Sequence, residues 1–192
     1  MKPRHTIRLI AAMVGLLVCR AEAAELDYYQ RFSSLIDTNR SGGPVLTNGM
    51  LSLSELKRRP EIVGVKLGMT MSAAVEHWGK PRNFYANDAG GPLLLFHHGA
   101  LGFQGDKAVR IGIFTTTIPG LRFDGGLTVT NSPADFAKVL GLPAADPAQR
   151  SLVFKSESAV ITLDWSYIPH LGERQLAGLV LEPPRDERPG SN

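Results

Sequence analysis

Lys66–Phe84 reads KLGMTMSAAVEHWGKPRNF, and its punctuation is that of a short capped helix. Thr70 is a good N-cap, because its hydroxyl can accept one of the amides that a helix start leaves unpaired. Met71, Ala74, Val75 and Trp78 fall at i, i+3, i+4 and i+7, one helical face. Gly79 supplies a stop and Pro81 forbids continuation. The spacing predicts a helix of about nine residues. Ile62–Leu67 before it reads as a short extended entry.

The same grammar recurs in Gly126–Pro143, GLTVTNSPADFAKVLGLP. Ser132 is the cap, Pro133 sits in the first turn, and Phe136, Ala137 and Leu140 share a face. Gly141 and Pro143 end it. An offset of 62 residues superposes Gly64 on Gly126, Thr70 on Ser132, Trp78 on Leu140 and Gly79 on Gly141. Strand-like runs follow each helix. The first set is 93–98, 100–104 and 107–115, with turns at Gly99 and Gly105-Asp106. The second set is 151–155, 158–165 and 174–182. The expectation is an α+β chain: a tandem repeat of a short helix followed by a three-stranded antiparallel meander, helices packed on one side of the sheet.

These residues carry a resemblance. LGMT, then Val75, then W-G-K-P, followed by a meander, resembles the SmpA/OmlA/BamE-like envelope lipoprotein domain. The tandem arrangement is similar to the β-lactamase inhibitory protein fold. Gly68, Thr70, Val75, Gly79 and Pro81 match the pattern, with Trp78 where Leu is usual. The second half keeps Ser132, Leu140, Gly141 and Pro143, but has Thr130 at the place of Gly68. The resemblance covers roughly 62–182 and implies a protein-binding module of the bacterial envelope. Fold by itself names no partner.

The N-terminus supplies an address. Lys2, Arg4 and Arg8 precede an apolar run from Leu9 to Val18, too short for a membrane-spanning helix. Ala21-Glu22-Ala23 follows as a small-residue exit. Together they read as a cleaved signal peptide over 1–23, hence a periplasmic or secreted protein. A lipoprotein with an acyl anchor at Cys19 is the alternative, although Val18 is not the small residue usual before such a cysteine. Cleavage removes Lys2, Arg4, Arg8 and Arg20 against Glu22 alone, so 21 basic and 18 acidic residues become 17 of each. A neutral chain lacks the basic field that holds phosphate backbones, so nucleic acid is not an expected partner. Cys19 is the one cysteine, so the exported part would fold without disulfides. The remaining boundaries read as a helical leader over 24–60, repeats over 61–120 and 121–184, and a polar tail over 185–192. No second apolar run suggests a transmembrane span.

Candidates for chemistry are few. His97-His98 falls within a strand-like run, where neighbours point to opposite faces and do not share a metal easily. Neither a nucleophile elbow nor a phosphate loop is present. Asp124, Asp164 and Glu173 read as scattered, solvated loop charges. Asp37–Gly42 matches the start of a calcium loop and Leu51–Glu55 its end, but Gly43–Gly49 intervene. The competing reading is an Asx turn at Asp37 and a capping box at Ser52. Tyr28, Tyr29 and Phe32 give the leader an aromatic face that packs on the core or meets a partner. The expected function is a non-catalytic module, without cofactor or metal, that binds another envelope or secreted protein. Its candidate contact residues are Tyr85, Phe103, Phe123, Trp165 and Tyr167. A small-ligand or calcium-responsive periplasmic binding protein is the alternative.

Overall fold

A computed structural model describes residues 33–39, 42–46, 49–86 and 91–184. The chain divides into two compact units, Met1–Ile36 and Asp37–Asn192. In the first, the described residues form one turn, closed by Ile36 N–H on the Ser33 carbonyl at 3.3 Å. The signal-peptide residues, Cys19, the aromatic leader residues Tyr28, Tyr29 and Phe32, and the 185–192 tail lie outside the described residues.

The second unit is α+β. Its strands are β1 (Met50–Leu51), β2 (Glu61–Ile62), β3 (Val65–Lys66), β4 (Asn83–Ala86), β5 (Pro92–Leu95), β6 (Gly99–Gln104), β7 (Lys107–Phe114), β8 (Arg122–Phe123), β9 (Ser151–Lys155), β10 (Val160–Ile168) and β11 (Glu173–Glu182). The helices are α1 (Leu53–Arg58), α2 (Met71–Trp78) and α3 (Pro133–Leu140). Among the described residues no helix is long and apolar enough to cross a membrane.

Each helix begins where its cap residue stands. Ser52 Oγ accepts Glu55 N–H at 3.1 Å. Thr70 Oγ1 accepts Ala73 N–H at 3.4 Å. Ser132 accepts Asp135 N–H at 3.3 Å while Asp135 Oδ2 accepts Ser132 N–H at 2.9 Å, a complete capping box. Gly141 ends α3 in the left-handed region, at φ 63° and ψ 33°. Gly79 ends α2 at φ 77° and ψ −170°, where a side chain is strained. The short extended entry is a hairpin, β2 against β3. Its turn puts the β-branched Val63 at φ 48°, a costly conformation.

Seven strands form one antiparallel sheet in the order β4-β5-β6-β7-β11-β10-β9. Two meanders thus meet at β7 and β11. The first meander has four strands rather than the expected three, because Asn83–Ala86 pairs with Pro92–Leu95. A separate parallel pair joins β1 to β8. The leader segment is laced into the unit. Gly42 N–H donates to Lys80 O at 2.7 Å, and Gly42 O accepts from His97 N–H at 3.1 Å. A Cβ on Gly42 would run into the Trp78 carbonyl, so this crossing tolerates only glycine.

The sheet has one fully buried face. Leu94, Leu101, Ile111, Ile113, Leu179, Leu181, Ile161 and Leu163 line it with almost no exposure. Trp78 of α2 meets Phe96 edge-on at 5.3 Å and donates its indole N–H to Ile62 O at 3.1 Å. Phe136 of α3 lies edge-on between Phe123 at 5.2 Å and Trp165 at 5.3 Å.

Candidate functional site

The opposite face follows from strand alternation. On β7, Arg110, Gly112 and Phe114 point away from the core between Ile111 and Ile113. On β11, Gly178, Val180 and Glu182 do the same between Leu179 and Leu181. The register pairs Phe114 with Gly178 and Gly112 with Val180 across the two strands. Arg110 Nε lies 3.4 Å from Glu182 Oε1 in the next row. Outward, Leu93 and Leu95 of β5 and Ala100 of β6 continue the face, which encloses a groove of about 310 Å³. A second groove of about 300 Å³ lies over Val153, Val160 and Thr162. Phe114 is 38% exposed and Val153 53%. This is an apolar sheet face that remains in contact with water.

Its glycines are the informative residues. A Cβ on Gly102 would sit 3.2 Å from the Arg110 Cβ, so that position is crowded from within the chain. Gly112 and Gly178 are not. A Cβ on either would meet nothing closer than 3.8 Å, and both have ordinary extended backbones. Glycine in mid-strand weakens a sheet and often marks close approach by a ligand or another backbone. Among the described residues no contact requires glycine at these two positions.

The electrostatics of the face are balanced. Arg110 and Lys155 stand against Glu182 and Asp164. Burial pushes the Asp164 carboxyl up, Arg110 draws it back down and Glu182 adds to the rise. Asp164 is thus a strand residue paired with Gly178, not the loop charge the sequence suggested. Asp124 is also engaged. Burial raises its carboxyl, but bonds from Ser54 N–H, Ser54 Oγ–H and Ser52 Oγ–H at 2.7, 2.7 and 3.2 Å outweigh that and hold it below the usual range. It caps α1 from 70 residues away.

The five residues expected to form a contact surface separate. Phe103, Phe123 and Trp165 are core residues, 0%, 0% and 4% exposed, and are withdrawn as contact candidates. Phe103 follows Leu101 onto the buried face, and Trp165 follows Ile161 and Leu163. The Trp165 indole N–H is used internally, on Asn131 O at 2.9 Å. Tyr85 and Tyr167 are exposed, at 50% and 60%. Tyr85 lies on the open face beside Phe84, which points to the core. Tyr167 shares the parity of Trp165 and so projects from the other face. One expected residue of five therefore belongs to the open face.

The remaining candidates also resolve. His97 and His98 occupy the bend between β5 and β6, not a strand, with their rings 4.3 Å apart. His98 Nδ1 lies 3.0 Å from Thr117 Oγ1. Burial, then the neighbouring His97, lower the His98 pKa. Asp37 Oδ1 accepts Asn39 N–H at 3.1 Å, an Asx turn. Glu55 lies in the first turn of α1, 3.8 Å from Arg58. Among the described residues no three His, Cys, Asp or Glu side chains come together as a metal group. Comparison with family models, with curated proteins and with solved structures returned no match.

Proposed function

We propose that this chain is an exported, non-catalytic protein-binding module of the bacterial cell envelope, and that it docks another envelope or secreted protein on the open face of its sheet. One observation carries the reading. The centre of that face holds two glycines, Gly112 and Gly178, at which a Cβ would come no closer than 3.8 Å to any described residue. Half-exposed and exposed apolar side chains surround them: Leu93, Leu95, Phe114 and Val180. A large apolar patch rimmed by charge is the usual mark of a protein contact.

The reading includes a tandem duplication, with the helices on one side. Four features support it. Gly64 and Gly126, one offset apart, have φ of 77° and 76°. Thr70 and Ser132 both cap, and Gly79 and Gly141 both terminate. Met69 O accepts Ala108 N–H at 2.9 Å and Val129 O accepts Leu176 N–H at 2.7 Å, so each pre-helix loop ties to the last strand of its meander. Trp78 approaches the buried face at Gly99, and Phe136 does so at Trp165. The basic, apolar and small-residue pattern of 1–23 supports export.

Site-specific photo-crosslinking in the host envelope tests the function. A crosslinker at Leu95 or Val180 of the full chain is expected to trap one dominant protein. The same group at Lys57 on α1 is expected to trap none. Equal yields from both places, or none from the sheet, would end the proposal.

A further inference from the structure

We propose that the open face is self-complementary and that a second copy of this chain occupies it, the two sheets packing face to face about a two-fold axis that runs along the strands between β7 and β11. The inference rests on reading that face as a docking surface, and it puts a second copy where that reading puts another protein.

The register carries the argument. Such an axis lays β7 of one copy over β11 of the other. Residues that are neighbours across the strand pair then become partners across the interface. Phe114 is paired with Gly178 within a copy, so it falls over Gly178 of the second copy. Val180 falls over Gly112 of the second copy for the same reason. Arg110 falls over Glu182 of the second copy, and Glu182 over Arg110. One strand further out, the register places Thr162 over Ala100 of the second copy. At the centre of the face each bulky group thus meets a bare or nearly bare backbone and Arg110 meets Glu182, while at the margins Leu95 falls over Val153 and Leu93 over Lys155 of the second copy. A two-fold contact uses this relation, because each large residue then meets the small member of the same cross-strand pair.

Size and charge agree. Seven strands of four to ten residues, about 4.8 Å apart and rising ~3.3 Å per residue, present a face on the order of 700 Å². Specific interfaces bury about 600–1,000 Å² per partner, so the contact takes nearly the whole face. Two cations and two anions leave the face without net charge to repel its copy. Aligned sheets pack about 10 Å apart, a spacing that glycine holes help large side chains to reach.

Sedimentation of the full chain, purified after export, tests this. The wild type is expected to be a dimer at micromolar concentration. Gly112→Val and Gly178→Val fill the holes and are expected to raise the dimer dissociation constant roughly tenfold or more, with no drop in melting temperature of the monomer. Arg110→Glu and Glu182→Arg each set like charges against each other in a homodimer. Each variant alone is expected to be monomeric, and an equimolar mixture is expected to form a one-to-one dimer. That recovery is a readout a misfolded variant cannot give. A monomeric wild type overturns the second copy. If a sheet-face crosslink to another protein persists in that case, the docking reading survives without it. A dimer indifferent to all four substitutions overturns the geometry.

Discussion

Ile111 and Ile113 of β7 are 0% and 1% exposed, whereas Arg110, Gly112 and Phe114, interleaved with them, face the groove on the opposite side. The two faces of one sheet are thus built by different rules. On the buried face the space at each residue is taken by another part of the chain. Gly99 is an example: a Cβ there would meet the Trp78 ring at 3.1 Å. On the open face a Cβ on Gly112 or Gly178 would make only ordinary contacts, none closer than 3.8 Å. The contrast teaches how to read a strand glycine. Where an internal atom is close, packing explains it; where none is, packing leaves the position unexplained.

The largest effect should come from the buried side. Phe136→Ala is expected to cost about 3–5 kcal/mol, because the ring is enclosed by Phe123 and Trp165. Urea unfolding would show it, and a loss under about 1 kcal/mol would mean that α3 does not anchor the core. Next comes Asp124→Ala, expected to cost about 1–3 kcal/mol by stranding the start of α1. Its sign with pH follows from its lowered pKa. The contribution of the carboxylate is present above the ordinary carboxyl range, near 3.9, and is lost as pH falls through the lower folded value. The gap between wild type and variant should therefore close only in strong acid.

The open face should behave in the opposite way. Gly112→Ala is expected to raise monomer stability by about 0.5–1 kcal/mol, since alanine orders a strand at less entropic cost. Gly42→Ala, at the crowded crossing, should destabilise, and the pair of melting temperatures sharpens the contrast. A loss at Gly112 would show that its glycine serves the chain after all. The smallest effect is Asp164→Asn. Its raised pKa means that the charged form is disfavoured in the fold, so the penalty appears as pH rises through the folded value. The variant should be more stable at neutral pH by up to about 0.5 kcal/mol, and the difference should vanish at pH 3. A constant difference across that range would remove burial as its cause.

Much of the local structure was legible in the residues. Ser52, Thr70 and Ser132 begin their helices as read, and Gly79 and Gly141 end theirs. β9 covers the run expected, and β7, β10 and β11 depart by one to three residues at their ends. β4 escaped notice because Asn83 and the polar residues around it hide a two-residue alternation. The contact surface was legible only in part. The alternation Ile161, Leu163, Trp165 already placed the indole with the core, and Leu101 did so for Phe103. Phe123 carried no such pattern, since its burial depends on Phe136. The glycines within KAVRIGIF and RQLAGLVL were visible, but whether a Cβ would fit there depends on neighbouring strands.

Caps, stops and strand parity belong to the sequence alone, because each depends on neighbours a few residues away; the turn expected at Gly99 lies instead at His97-His98, and Gly99 opens β6 opposite Ile113. The junction of β7 with β11, the reach of Asp124 to α1, and the choice of which sheet face is left open belong to the tertiary structure. They join residues more than 60 positions apart, and only the packed chain decides which of many such meetings removes the most apolar surface from water.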